Sequence, residues 1–66
     1  MDMQVPAPQR LVGTWRRFGR TGPVYEILAT CEPRGNGDAQ MRIRVLESGE
    51  ELDYRLNEIL DDPRER

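Results

Sequence analysis

The chain has 66 residues, 36% hydrophobic and 33% charged, with a formal net charge of −2. One cysteine and no histidine exclude an internal disulfide and a Cys/His zinc site, the usual staples of so small a domain. Oligomerisation or docking on a partner is therefore expected to supplement the small core that such a chain can bury.

No apolar run approaches transmembrane length, and residues 1–9 have neither a basic n-region nor an apolar h-region. The expectation is a cytoplasmic protein with a reduced Cys31, no membrane contact and no secretory leader. All ten basic residues are arginine, which fits a GC-rich coding bias better than selection for bidentate anion contacts. Residues 1–44 hold seven Arg against Asp2, Glu26, Glu32 and Asp38, and residues 45–66 hold three Arg against eight acids, so the halves carry +3 and −5.

Residues 1–9 contain Pro6 and Pro8 and lack periodicity, and read as a disordered N-terminal arm. A single small β domain is expected over residues 10–63. Arg10 to Phe18, RLVGTWRRF, is rich in strand formers. One face would carry Leu11, Gly13, Trp15 and Arg17, the other Val12, Thr14, Arg16 and Phe18. Gly13 marks a bend or bulge able to swap these faces midway. Gly19-Arg20-Thr21-Gly22-Pro23 is a turn. The second strand runs from Val24 to Glu32, with Tyr25, Ile27, Ala29 and Cys31 expected to line the core. Pro33 to Asp38 is expected to be a long flexible loop.

Met41 to Tyr54 is the strongest structural signal, a β-hairpin. Met41, Ile43 and Val45 alternate with Arg42 and Arg44, and Leu52, Tyr54 and Leu56 alternate with Asp53 and Arg55. Ser48-Gly49 is expected at the tip. Val45 would then face Leu52, Ile43 Tyr54, Met41 Leu56, and Arg44 Asp53. A slip by one residue would oppose apolar and polar faces. Asn57 to Asp62 is expected to form one helical or 3-10 turn that tucks Ile59 and Leu60 under the sheet and ends at Pro63. Residues 64–66 read as a frayed tail.

The fold class is all-β: a four-stranded antiparallel meander curled into a small SH3-like barrel, with one short helical turn near the C-terminus. An open antiparallel sheet that dimerises through its face or an edge is the second architecture. The segments GTWRRFGRTGPVYEIL and MRIRVLESGEELDYRLNEILDDP resemble a family of short bacterial proteins known only as a domain of unknown function. The resemblance covers Arg10 to Pro63 and implies no activity. The layout is also similar to SH3-like domains: an aromatic-bearing first strand, the Gly-Pro-Val-Tyr-Glu-Ile strand, a hairpin, and a short turn ending in proline. That similarity bears on fold alone.

Nucleophilic catalysis needs a nucleophile with a base beside it, and the chain has no histidine and no lysine. Ser48 sits in a turn, and Cys31 is expected to be a small buried hydrophobe. Glu50-Glu51-Asp53 and Glu58-Asp61-Asp62 lack calcium-loop spacing and are better explained as charged strand faces and helix-end carboxylates. Gly35-Asn36-Gly37 lacks the ending of a phosphate loop. No catalytic, metal or cofactor residues are therefore assigned. The one candidate binding patch is Trp15, Arg16, Arg17, Phe18 and Arg20, extended by Arg42 and Arg44 if the sheet places them alongside. Aromatics interleaved with arginine can stack bases and grip phosphates. The competing reading is that Trp15 or Phe18 is core and the arginines pair with Glu26, Asp53 and their neighbours. It is favoured by the net negative charge. The expected function is a non-enzymatic protein-interaction or regulatory module, with a protein partner or a homodimer. The alternative is a small RNA- or single-stranded-DNA-binding barrel.

Overall fold

The computed structural model describes residues 8–31 and 39–65. A 3-10 helix, Pro8–Leu11, is followed by β1 (Trp15–Arg17), β2 (Val24–Thr30), β3 (Gln40–Val45), β4 (Glu51–Arg55), α1 (Leu56–Asp61) and β5 (Arg64–Glu65). The strands form one antiparallel sheet in the order β4-β3-β2-β1-β5. The meander β1 to β4 and the short helix match the expectation. The fifth strand is not expected from the sequence, and the sheet does not close into the SH3-like barrel; it is open, as in the second architecture, with five strands rather than four.

The sheet fails to close because other elements do the work of a barrel wall. β4 and β5 are its two edges, so β4 never meets β1. α1 leaves the β4 edge, and the chain reaches the far edge to add β5 beside β1. Asp62, at φ −81° and ψ 146°, has already left helical geometry, as a residue before proline tends to. Pro63 then offers its carbonyl to the Arg17 N–H at 3.1 Å. Arg64 and Glu65, expected in a tail, pair with Arg16 and Trp15. At the other end, Pro8 and Gln9 belong to the 3-10 helix. Residues 1–7 of the expected arm and the whole expected loop 33–38 lie outside the described residues.

Two bulges set which side chains face inward. Gly13 N–H donates to the Ile27 carbonyl at 2.8 Å, and Ile27 N–H donates to the Thr14 carbonyl at 3.0 Å. Two residues thus oppose one, with Gly13 at φ 88°, the geometry of a glycine bulge. It swaps the faces as expected: Leu11 is buried and Val12 exposed on its N-terminal side, while Arg16 is buried and Trp15 exposed beyond it. The second bulge lies between Ile27 and Ala29. It overturns part of the expected core, because beyond it Ala29 pairs with Arg42 on the outer face. Ala29 is exposed and Cys31 half-buried. The Cys31 thiol donates to Asp53 Oδ1 at 3.5 Å.

The hairpin keeps its facing but not its expected register. Ile43 pairs with Leu52, Met41 with Tyr54, Arg44 with Glu51 and Arg42 with Asp53. The Val45 N–H donates to the Glu50 carbonyl at 2.8 Å, and Gly49 N–H donates back to the Val45 carbonyl at 2.7 Å. The loop is therefore Leu46 to Gly49, with Gly49 at φ 77°. Each partner moves by two residues. Because side chains alternate with period two, the apolar face is preserved.

The inner face holds the core: Leu11, Tyr25, Ile27, Met41, Ile43 and Ile59 are buried, with Phe18, Leu52, Tyr54, Leu56 and Leu60 packed against them. Ile59 and Leu60 lie under the sheet as expected. Ile59 is fully buried from a helix of six residues. So short a helix has little stability of its own, and packing holds it in place.

Candidate functional site

The two faces of the sheet differ in chemistry. On the inner face the side chain of Asp62, just past the end of α1, is a hub. Its Oδ2 accepts the Tyr25 hydroxyl at 2.7 Å and the Tyr54 hydroxyl at 3.3 Å, and its Oδ1 accepts the Gly19 N–H at 3.2 Å. Its backbone carbonyl accepts Arg16 Nη1 at 2.8 Å. One residue thereby ties the end of α1 to β1, β2, β4 and the turn after β1. Phe18 closes the cluster, with its ring centroid 4.4 Å from that of Tyr25 and 5.3 Å from that of Tyr54. Both phenols titrate above their ordinary value. Burial is the leading cause for each, followed for Tyr25 by the hydrogen bond to Asp62 and for Tyr54 by the Asp62 charge.

Arg16 is 8% exposed, and its Nε meets no acceptor among the described residues. Yet the described residues enclose no ligand-sized cavity beside it. The inner cluster has the character of a structural clamp. Its acceptor oxygens are engaged, and its aromatic rings are packed.

On the outer face, Glu65, Trp15, Glu26, Arg44 and Glu51 follow one another across the five strands. Trp15 is 42% exposed, and a carboxylate-bearing residue stands opposite it on either side. The arginines of this face are engaged: Arg17 Nε lies 3.2 Å from Glu65 Oε1, Arg44 Nη2 3.0 Å from Glu26 Oε1, and Arg42 Nε 3.4 Å from Asp53 Oδ1. Arg17 also donates from Nη1 to the Gly22 carbonyl at 2.9 Å. The turn that receives it depends on Gly22, where a Cβ would collide with the Phe18 carbonyl.

The model of a family of unknown function, DUF5397, matches residues 3–66. The chain belongs to this family. It is also similar to an uncharacterized protein of Haemophilus influenzae, 37% identical over 51 residues that cover 77% of this chain and 81% of that protein. The family description names no enzymatic activity. Among the described residues of this DUF5397 chain, no helix is long and apolar enough to cross a membrane.

The expected patch is divided by the strand's own alternation. Trp15 and Arg17 are on the outer face, while Arg16 and Phe18 turn inward and Arg20 is exposed in the turn. Arg42 and Arg44 do share a face with Trp15, but their charges are met by Asp53 and Glu26. Sequence reasoning left Asp62 among generic helix-end carboxylates. The signal for it lay in the two tyrosines of the inner face. A buried phenol hydroxyl needs an acceptor, and an acid beside Pro63, released from the helix, is well placed to supply one.

Proposed function

We propose that this DUF5397 chain is a non-enzymatic protein-interaction module, cytoplasmic, that uses the outer face of its sheet around Trp15. The observation that carries this reading is a tryptophan 42% exposed on a face that no described element covers. Large aromatics of this kind anchor protein interfaces. Arginine and carboxylate alternate around the ring, which suits a protein surface of mixed charge. The same alternation works against a phosphodiester backbone, because Glu26 and Glu65 flank the position where a stacked base would bring its phosphates. The non-enzymatic part rests on the side chains themselves. The Asp62 oxygens are engaged by phenols and an N–H, and the Cys31 thiol donates to the Asp53 carboxylate.

The test is affinity capture from native extract with wild-type chain and with Trp15→Ala, both verified as folded. A discrete protein recovered by the first and lost by the second is the expected result. In parallel, Trp15 emission is followed against mixed-sequence RNA and single-stranded DNA at low salt, where no change is expected. Salt-sensitive quenching by the oligonucleotides would instead favour the alternative, a small single-strand-binding protein.

A further inference from the structure

The exposed indole of Trp15 stands between two carboxylates. Glu26 on β2 pairs with Trp15 on one side and Glu65 on β5 on the other. Directly paired residues of neighbouring strands project from the same face, with the strands about 4.8 Å apart, so the two acids bracket the ring. Among the described residues neither a second ring nor a cation stacks on it.

The chain's own arginines use only part of these acids. Arg44 reaches Glu26 from β3, the strand on the far side from Trp15, and meets Oε1 at 3.0 Å. Arg17 meets Glu65 Oε1 at 3.2 Å, and its Nη1 is held by the Gly22 carbonyl in the turn after β1. The Oε2 atom of each carboxylate takes no hydrogen bond among the described residues. An ionised carboxylate has room for several donors.

We infer that Trp15, Glu26 and Glu65 form a receptor for an arginine side chain of the protein partner. The inference rests on the outer-face reading proposed above and names the group that the face takes. A guanidinium laid flat on the indole is attracted by the negative face of the ring. Its five N–H donors radiate in the plane of the group, past the edges of the ring and toward β2 and β5. Those are the two strands that carry Glu26 and Glu65. A lysine ammonium would meet the ring but, as a compact point charge, lacks the planar fork that reaches both sides. An apolar side chain would cover the ring while taking water from the carboxylates without replacing its hydrogen bonds. A phosphate or an acidic side chain would be repelled by both acids.

The test titrates N-acetylarginine methylamide into the full chain and follows the Trp15 indole N–H resonance. The analogous derivatives of lysine and of citrulline, which keeps the shape of arginine without its charge, serve as comparisons. A saturable shift is expected with the arginine probe, a weaker one with lysine and none with citrulline. The double variant Glu26→Gln/Glu65→Gln, verified as folded, is expected to weaken the arginine probe by roughly tenfold. No shift with arginine, an equal affinity for citrulline or lysine, or an unchanged affinity in the double variant would overturn the inference. Should the double variant fail to fold, the three probes on the wild type decide the question. Affinity capture separates the inference from the reading beneath it. A protein lost with Trp15→Ala but retained by the double variant would overturn the arginine receptor and leave the outer face an interface. A protein retained by both would overturn the outer-face reading itself, and the receptor with it.

Discussion

The inner and outer faces of the sheet use the same residue types to opposite ends. Inside, one carboxylate beyond α1 gathers two phenols, a backbone N–H and, through its carbonyl, a buried guanidinium. Outside, among the described residues, three carboxylate–arginine pairs lie along a face half open to water. The inner contacts join residues from both ends of the chain, so losing them releases the helix from the sheet. The outer pairs are screened by solvent and join strands that the ladder already holds. Similar chemistry thus contributes strongly where water is excluded and weakly where it is not.

That contrast predicts a hierarchy of effects. Ile59→Ala removes the helix's only fully buried side chain. It is expected to cost about 3 kcal/mol, out of a total of roughly 3–10 kcal/mol for a chain of this length. A urea melt measures it. Asp62→Ala leaves the hydroxyl of buried Tyr25 without an acceptor, and is expected to cost about 2–3 kcal/mol. A loss below about 0.5 kcal/mol would mean that the inner cluster is not a clamp.

The same cluster makes the fold sensitive to alkali. Tyr25 and Tyr54 hold their protons more tightly in the folded state than in the unfolded chain. Below the ordinary phenol value of about 10 their contribution is present in full. As the pH rises above that value the unfolded chain releases protons that the folded one retains, and stability falls. Denaturant midpoints between pH 8 and 11 check this. Tyr25→Phe is expected to flatten the alkaline decline, and Tyr54→Phe to flatten it less, because Tyr25 is the more deeply buried and its hydroxyl lies closer to Asp62 Oδ2, at 2.7 against 3.3 Å.

Sequence patterns show the local part of this architecture plainly and the long-range part hardly at all. Alternation reveals β3 and β4, strand formers mark β1 and β2, and Gly13 announces its bulge, but Arg10 and Leu11, read as the start of the first strand, belong to the 3-10 helix and β1 is only Trp15–Arg17. Ile59 and Leu60 before Pro63 mark the helix that covers the core. The bulge at Leu28 has no glycine or proline to signal it, so Ala29 and Cys31 read as core and are not. The hairpin register moved by two because facing, the quantity that alternation reports, is blind to even shifts. Arg64 and Glu65 are too few to show a strand pattern, and without them the sheet looked free to curl. Asp62 stayed hidden because its partners Tyr25 and Arg16 lie 37 and 46 positions away. The candidate patch fared similarly. The residue types were legible, but Trp15 through Phe18 were divided between two faces, with Trp15 alone of the two aromatics left in water.

The smallest effects belong to the outer face. Arg44→Ala or Glu26→Gln is expected to change stability by under about 0.5 kcal/mol, each pair being partly exposed. A double-mutant cycle isolates the coupling. If it exceeds about 1.5 kcal/mol, the two faces are energetically alike and the contrast fails.

The emission of Trp15, the chain's single tryptophan, tests the central claim most directly. A Trp15 ring left exposed by every described element predicts a red-shifted spectrum that acrylamide quenches readily, with no change between dilute and concentrated protein. A blue-shifted, quencher-resistant spectrum would show that the face is covered and would contradict the account.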